Sequence, residues 1–84
     1  MKKIKLNDKE FAYITSLKFM PIDFFEIINR SIKHRNIIEM TEENADKFRD
    51  FFGERLQLVG FDENYELTEE GEILENLIDD FFCG

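Results

Sequence analysis

Five apolar residues, Ala45, Phe48, Phe52, Leu56 and Val59, follow one another at steps of 3, 4, 4 and 3. That spacing draws one stripe along an α-helix and commits the middle of the chain to a helix that buries this face. Thr41 stands at the N-cap position. Glu42 and Glu43 occupy the first turn, where the helix dipole favours acids. Gly60 is a natural residue just past the end, with Phe61 able to fold back over it.

Similar signals predict three further helices. Asn7 with Glu10 makes a capping-box pattern ahead of Phe11, Ile14 and Leu17, and Pro21 closes this first helix near Phe19. The second helix uses Phe24, Ile28 and Ile32, joined by Phe25 and Ile27, and fades near His34–Asn36, where Lys33 and Arg35 suit a helix C-terminus. Residues 36–40, "NIIEM", read as a short extended segment or a link packed on the core. After the turn "DEN", Thr68 caps a fourth helix whose stripe is Ile73, Leu74, Leu77, Ile78 and Phe81. The expectation is an all-α single domain spanning residues 1–84: a bundle of three to four helices, with at most a short β-like contact between 36–40 and 64–67. "EMTEEN" and "ELTEEG", 27 residues apart, are one good helix start used twice and not a repeat, because Phe48 would align with Glu75.

Composition excludes several classes. At 43% hydrophobic residues, ten of them Phe, the chain has core material enough to argue against disorder. One cysteine, Cys83, cannot close an internal disulfide, and with the single His34 it is too few for a zinc site. "MKKIK" leads into Leu6, Asn7 and Asp8, so no secretory leader is expected, and no apolar run approaches the ~18 residues of a membrane span. A cytoplasmic protein is the expectation. No Gly-rich loop, nucleophile–base pair or pocket signal accompanies the carboxylates, so no catalytic residue, cofactor, metal or small-molecule substrate is expected.

Charge is distributed unevenly. Residues 1–35 hold eight bases and four acids; residues 36–84 hold three bases and fifteen acids. From Phe61 onward there are nine acids and no base. Such a field repels nucleic acid and attracts basic partners. In the fourth helix Glu72, Glu75 and Asp79 share one side and Asp80 flanks it. Asp79 and Asp80 fall near the negative end of the helix dipole, where acids cost about 0.3–1 kcal/mol each. Local rules broken without local benefit point to function. The residues expected to meet a partner are Asp62, Glu63, Tyr65, Glu69, Glu72, Glu75, Asp79 and Asp80, with Phe82 as an aromatic anchor beside them.

The stretch "GFDENYELTEEGEILENLID", residues 60–79, resembles the C-terminal segment of small acidic immunity proteins encoded beside bacterial polymorphic and contact-dependent growth-inhibition toxins. Those often end on an FD–x–x–Y–x–L/P–T–x–E–G–x–x–L–E–x–L–I–D type of segment. The matching positions are Phe61, Asp62, Tyr65, Thr68, Glu70, Gly71, Leu74, Glu75, Leu77, Ile78 and Asp79. The resemblance covers about a quarter of the chain. It implies a protein that binds one cognate basic toxin, expected to be a ribonuclease, in a one-to-one complex and occludes its active or substrate-binding surface. Two alternatives remain open. "YELTEEGEILENL" also resembles the wing-to-helix segment of winged-helix DNA-binding regulators, although the third helix sets only Lys47, Arg49 and Arg55 against five acids. A phage-type DNA mimic that inhibits a nucleic-acid enzyme would use the same charge physics.

Overall fold

Residues 37–40 form the centre of a three-stranded antiparallel sheet, so the chain is not an all-α bundle. The computed structural model describes residues 1–15 and 20–83. Its elements run β1 (Lys2–Lys5), α1 (Asp8–Thr15), α2 (Ile22–Ser31), β2 (Ile32–His34), β3 (Ile37–Met40), α3 (Glu42–Val59) and α4 (Glu69–Cys83), with sheet order β1-β3-β2. The expected end of the first helix near Phe19, and the place of Leu17 in its stripe, lie outside the described residues.

The sheet corrects two expectations. The second helix stops at Ser31, and Ile32 already has extended backbone (φ −71°, ψ 119°). Ile4, Ile38 and Ile32 then stand opposite one another across the three strands. The same pairing puts Lys3 against Glu39, a favourable cross-strand charge pair. Residues 36–40 therefore pair with β1 and β2, and not with 64–67 as the sequence suggested. The segment 61–67 instead closes on itself, through an isolated antiparallel bridge between Phe61 and Leu67.

Helix starts follow the sequence closely. Asn7 and Glu10 exchange both bonds of the capping box: the Asn7 N–H donates to Glu10 Oε1 (2.9 Å) and the Glu10 N–H to Asn7 Oδ1 (2.7 Å). Thr41 accepts from the Asn44 N–H at 3.1 Å. Thr68 does two things at once. Its oxygen accepts from the Gly71 N–H (3.0 Å), capping α4, while its hydroxyl donates to the Val59 carbonyl (3.0 Å) at the end of α3.

The core fills between α3 and α4. Phe48, Phe52 and Phe81 are fully buried, with ring centroids 5.2 to 5.9 Å apart, and Phe24 extends the cluster to Phe48 at 5.1 Å. Each such ring contributes about 1.5–3 kcal/mol by burial. α4 runs back along α3, since Phe81 meets Phe48 while Gly71 meets Gly60. A Cβ on Gly71 would collide with the Gly60 carbonyl. Gly60 itself keeps right-handed helical backbone (φ −77°) as the C-cap, so close packing and not a left-handed turn is what requires glycine there. Phe61 does not fold back over the helix end; it turns outward to pair with Leu67.

Candidate functional site

The packing of α4 decides which of its acids meet solvent. Leu74, Leu77 and Phe81 face inward, Gly71 meets the end of α3, and Asp80 turns toward α1. Glu69, Glu72, Glu75, Asn76 and Asp79 are left on the exposed face. Lys9 reaches Glu69 at 3.4 Å. Among the described residues no cation comes within ion-pair distance of Glu72, Glu75 or Asp79. Beside this ridge Leu56 and Ile78 floor a shallow hollow of about 370 Å³ with Glu75 and Asp79 on its rim. A long basic side chain lying there would cover apolar surface with its stem and present its charge to both carboxylates.

Phe82 closes the ridge at 67% exposure, with the Arg49 guanidinium 5.0 Å from its ring centre. Arg49 also pairs with Asp46. The last turn of α4 carries no cation of its own, but the fold supplies one. Lys2 donates to the Phe82 carbonyl at 2.8 Å and lies 3.6 Å from Glu42.

Asp80 stands apart from the other predicted contact residues. It is half-buried against Glu10, itself only 4% exposed on α1. Burial raises the Asp80 carboxyl to about 7, helped by its hydrogen bond with Glu10, the Glu10 charge and the neighbouring Asp79. A neighbouring carboxylate makes the ionised form of Asp80 more costly.

A second, half-buried polar tie joins the same helices. Tyr13 donates its phenol to Glu70 Oε2 at 2.5 Å, and the Arg55 guanidinium lies 3.5 Å from that oxygen. Burial, then Glu70, pushes the Tyr13 phenol well above its ordinary value. Glu70 therefore holds α1, α3 and α4 together and is not displayed. Glu10 and Tyr13 are contacts that sequence reasoning missed, and only an acid and an aromatic on the inner side of the first helix hinted at them. Among the described residues no group of three or more His, Cys, Asp or Glu is placed to hold a metal ion, and no helix is long and apolar enough to cross a membrane.

The remaining predicted residues lie on the hairpin 61–67. Asp62 Oδ1 accepts from the N–H groups of Asn64 (2.8 Å) and Glu66 (3.0 Å), which fixes the turn. Glu63 and Tyr65 are exposed at its tip. Comparison with known proteins adds nothing to this geometry: no family model, curated protein or solved structure matches the chain.

Proposed function

We propose that this protein is an immunity-type inhibitor, which binds one basic protein toxin and blocks it by covering its active or substrate-binding surface. The observation that carries this reading is the exposed face of α4. Four carboxylates, Glu69, Glu72, Glu75 and Asp79, line it, and only Glu69 has a cation beside it among the described residues. Self-repulsion along such a face is unfavourable in the free protein and is relieved by a cationic partner. The resemblance of residues 60–79 to toxin-immunity proteins supports the same reading, and a nuclease surface built to hold phosphates is the kind of basic surface the face fits.

The test uses the C-terminal domain of the protein encoded immediately upstream, produced with and without this chain. Neutralisation predicts that the domain arrests growth or degrades RNA alone and is silenced at one-to-one stoichiometry. A domain that stays active with this chain in excess would overturn the reading. An oligonucleotide mobility assay belongs beside it. The exposed cations Lys3, Lys5, Lys33 and Arg35 lie on the sheet and its β2–β3 turn, and none is on α4. Tight oligonucleotide binding at physiological salt would move the functional surface to that side and favour nucleic acid as the partner.

A further inference from the structure

The hairpin after α3 breaks two rules at once. Tyr65 has φ +62°, a left-handed backbone that glycine and asparagine adopt readily and a bulky aromatic residue seldom does. Its ring is also 87% exposed, so no packing against the core compensates. The Tyr65 N–H donates to the Asp62 carbonyl (3.0 Å) and the Asp62 N–H to the Glu66 carbonyl (2.9 Å), the pattern of a three-residue hairpin loop with its left-handed residue last. That last position is occupied by Gly in most such loops; here it holds the largest ring available apart from Trp. An outlier of this kind is a reason to look for function.

Tyr65 is not alone. Bonds from Asp62 to Glu66 and from Thr68 to Gly60 flank the pair Phe61–Leu67, which makes it the closely spaced, non-hydrogen-bonded kind of pair with adjacent side chains. Both are exposed, and Leu58, in the last turn of α3, is 77% exposed. Phe61, Tyr65 and Leu67 are thus three large exposed side chains on one seven-residue hairpin, and Leu58 precedes that hairpin by three residues. Asp62, Glu63 and Glu66 surround them, with no base in the hairpin. The hairpin is also tied at both ends, by the two Asp62 side-chain bonds in the loop and the Thr68 bond to Val59 at its base.

We infer that the 61–67 hairpin is the anchor of the complex: an aromatic knob, ringed by acids, that inserts into a concave, basic, apolar-floored cleft on the partner protein. This rests on the partner being the basic protein proposed above, and it divides the work between two surfaces. The α4 ridge steers encounter, and the hairpin supplies the buried contact that keeps the complex together. Tyrosine suits this role, since a large ring with few rotatable bonds buries much area at low entropic cost, and a turn fixed in advance loses little freedom on binding. The acids around it fit a cationic rim, and the same hairpin on a second copy, carrying the same acids, would be repelled.

The test needs no toxin. A phage-displayed library of disulfide-cyclised peptides is panned on the full chain, and the enriched peptides are titrated against wild type, Tyr65→Asn, Leu58→Ser and Glu72→Gln/Glu75→Gln. Asparagine retains the left-handed backbone, so Tyr65→Asn removes the ring without breaking the turn, and an unchanged melting temperature checks this. The expected peptides combine Lys or Arg with apolar residues. Tyr65→Asn and Leu58→Ser each weaken them by about tenfold or more, and the α4 pair weakens them by only a few-fold. The inference is overturned if no peptide is enriched, or if enriched peptides ignore both hairpin-end changes. It is also overturned if sedimentation finds a wild-type dimer that Tyr65→Asn returns to monomer, because the occupant is then a second copy. Failed neutralisation of the upstream toxin would leave the panning result standing, and failed panning would leave the toxin reading standing.

Discussion

Lys2, in the first strand, donates its ammonium to the carbonyl oxygen of Phe82, in the last turn of the last helix, at 2.8 Å. α4 ends in carbonyl groups with no cation of its own nearby, and its last five residues include Asp79 and Asp80. Lys2 supplies the missing positive charge from the other end of the chain, and its largely buried side chain also reaches Glu42 at the start of α3. Lys2→Met keeps the apolar stem and removes the charge. The expected loss is about 1–2 kcal/mol, from one charge-assisted hydrogen bond and the dipole contact. Denaturant unfolding at low salt measures it, and an unchanged midpoint would refute the role.

Asp80 gives the stability a definite dependence on pH. Its folded value of about 7 lies above the ordinary carboxyl value of 3.8, so between these limits the folded protein holds a proton that the unfolded chain has released. This pair's contribution to stability therefore falls as pH rises from about 4 through 7. Solvent screening at the half-exposed carboxyl limits the effect, and Asp80→Asn should gain on wild type by about 1 kcal/mol between pH 5 and pH 8. Parallel unfolding curves at the two pH values test this. A variant whose difference from wild type is constant across that range would show that Asp80 does not hold a proton in the folded state.

Which features could be read from sequence follows from how local their causes are. The caps at Asn7, Thr41 and Thr68 depend on side chains within three residues of the backbone they satisfy, so spacing alone revealed them. The α3 stripe was legible for the same reason. The sheet was not. β1 offers one apolar residue, Ile4, and β2 follows α2 without a break, so Ile32 looks like the next position of a helical stripe. Its strand conformation comes from a tight hairpin with Ile38, six residues on, whose far edge is closed by the distant β1. The candidate surface divides likewise. Glu72, Glu75 and Asp79 share a face because of helical periodicity, whereas Asp80 left the displayed set through its contact with Glu10, 70 positions away. Leu58 lies off the α3 stripe, a sign of exposure that periodicity did offer.

Gly71→Ala should be costly although alanine is the better helix former. In an open helix the change gains about 1 kcal/mol. Here the added methyl meets backbone atoms of Gly60, which cannot move without separating the end of α3 from the start of α4. Overpacking of this kind costs about 1–3 kcal/mol, so the expected net effect is destabilisation. Gly53→Ala is the control: no atom stands within 4 Å of its added methyl, and the same change there should stabilise. Thermal melts of both variants compare the signs directly.

Leu77→Ala separates fold from surface. The side chain is fully buried between the helices, and truncation leaves a cavity worth about 2–5 kcal/mol. Partner affinity, measured on the fraction that remains folded, should be unchanged, because Leu77 reaches no surface. A loss of affinity beyond the loss of folded protein would place the contact face elsewhere on α4.

The outward acids should act on the rate of association more than on its lifetime. Glu72, Glu75 and Asp79 sit on an exposed ridge where water screens each contact, so the pairs they form in a complex are worth little individually. Their summed field acts at longer range. It should raise the association rate with a basic partner toward ~10⁸ M⁻¹s⁻¹ at low salt and lose this advantage as salt shortens the screening length. Changing the three to Gln, Gln and Asn should lower the association rate about tenfold or more at 50 mM salt and leave it nearly unchanged at about 500 mM, with the dissociation rate altered only a few-fold at either. Stopped-flow mixing with the upstream-encoded domain across that range supplies both rates. A triple variant that associates normally but dissociates much faster would mean that the ridge, and not the hairpin, carries the buried contact.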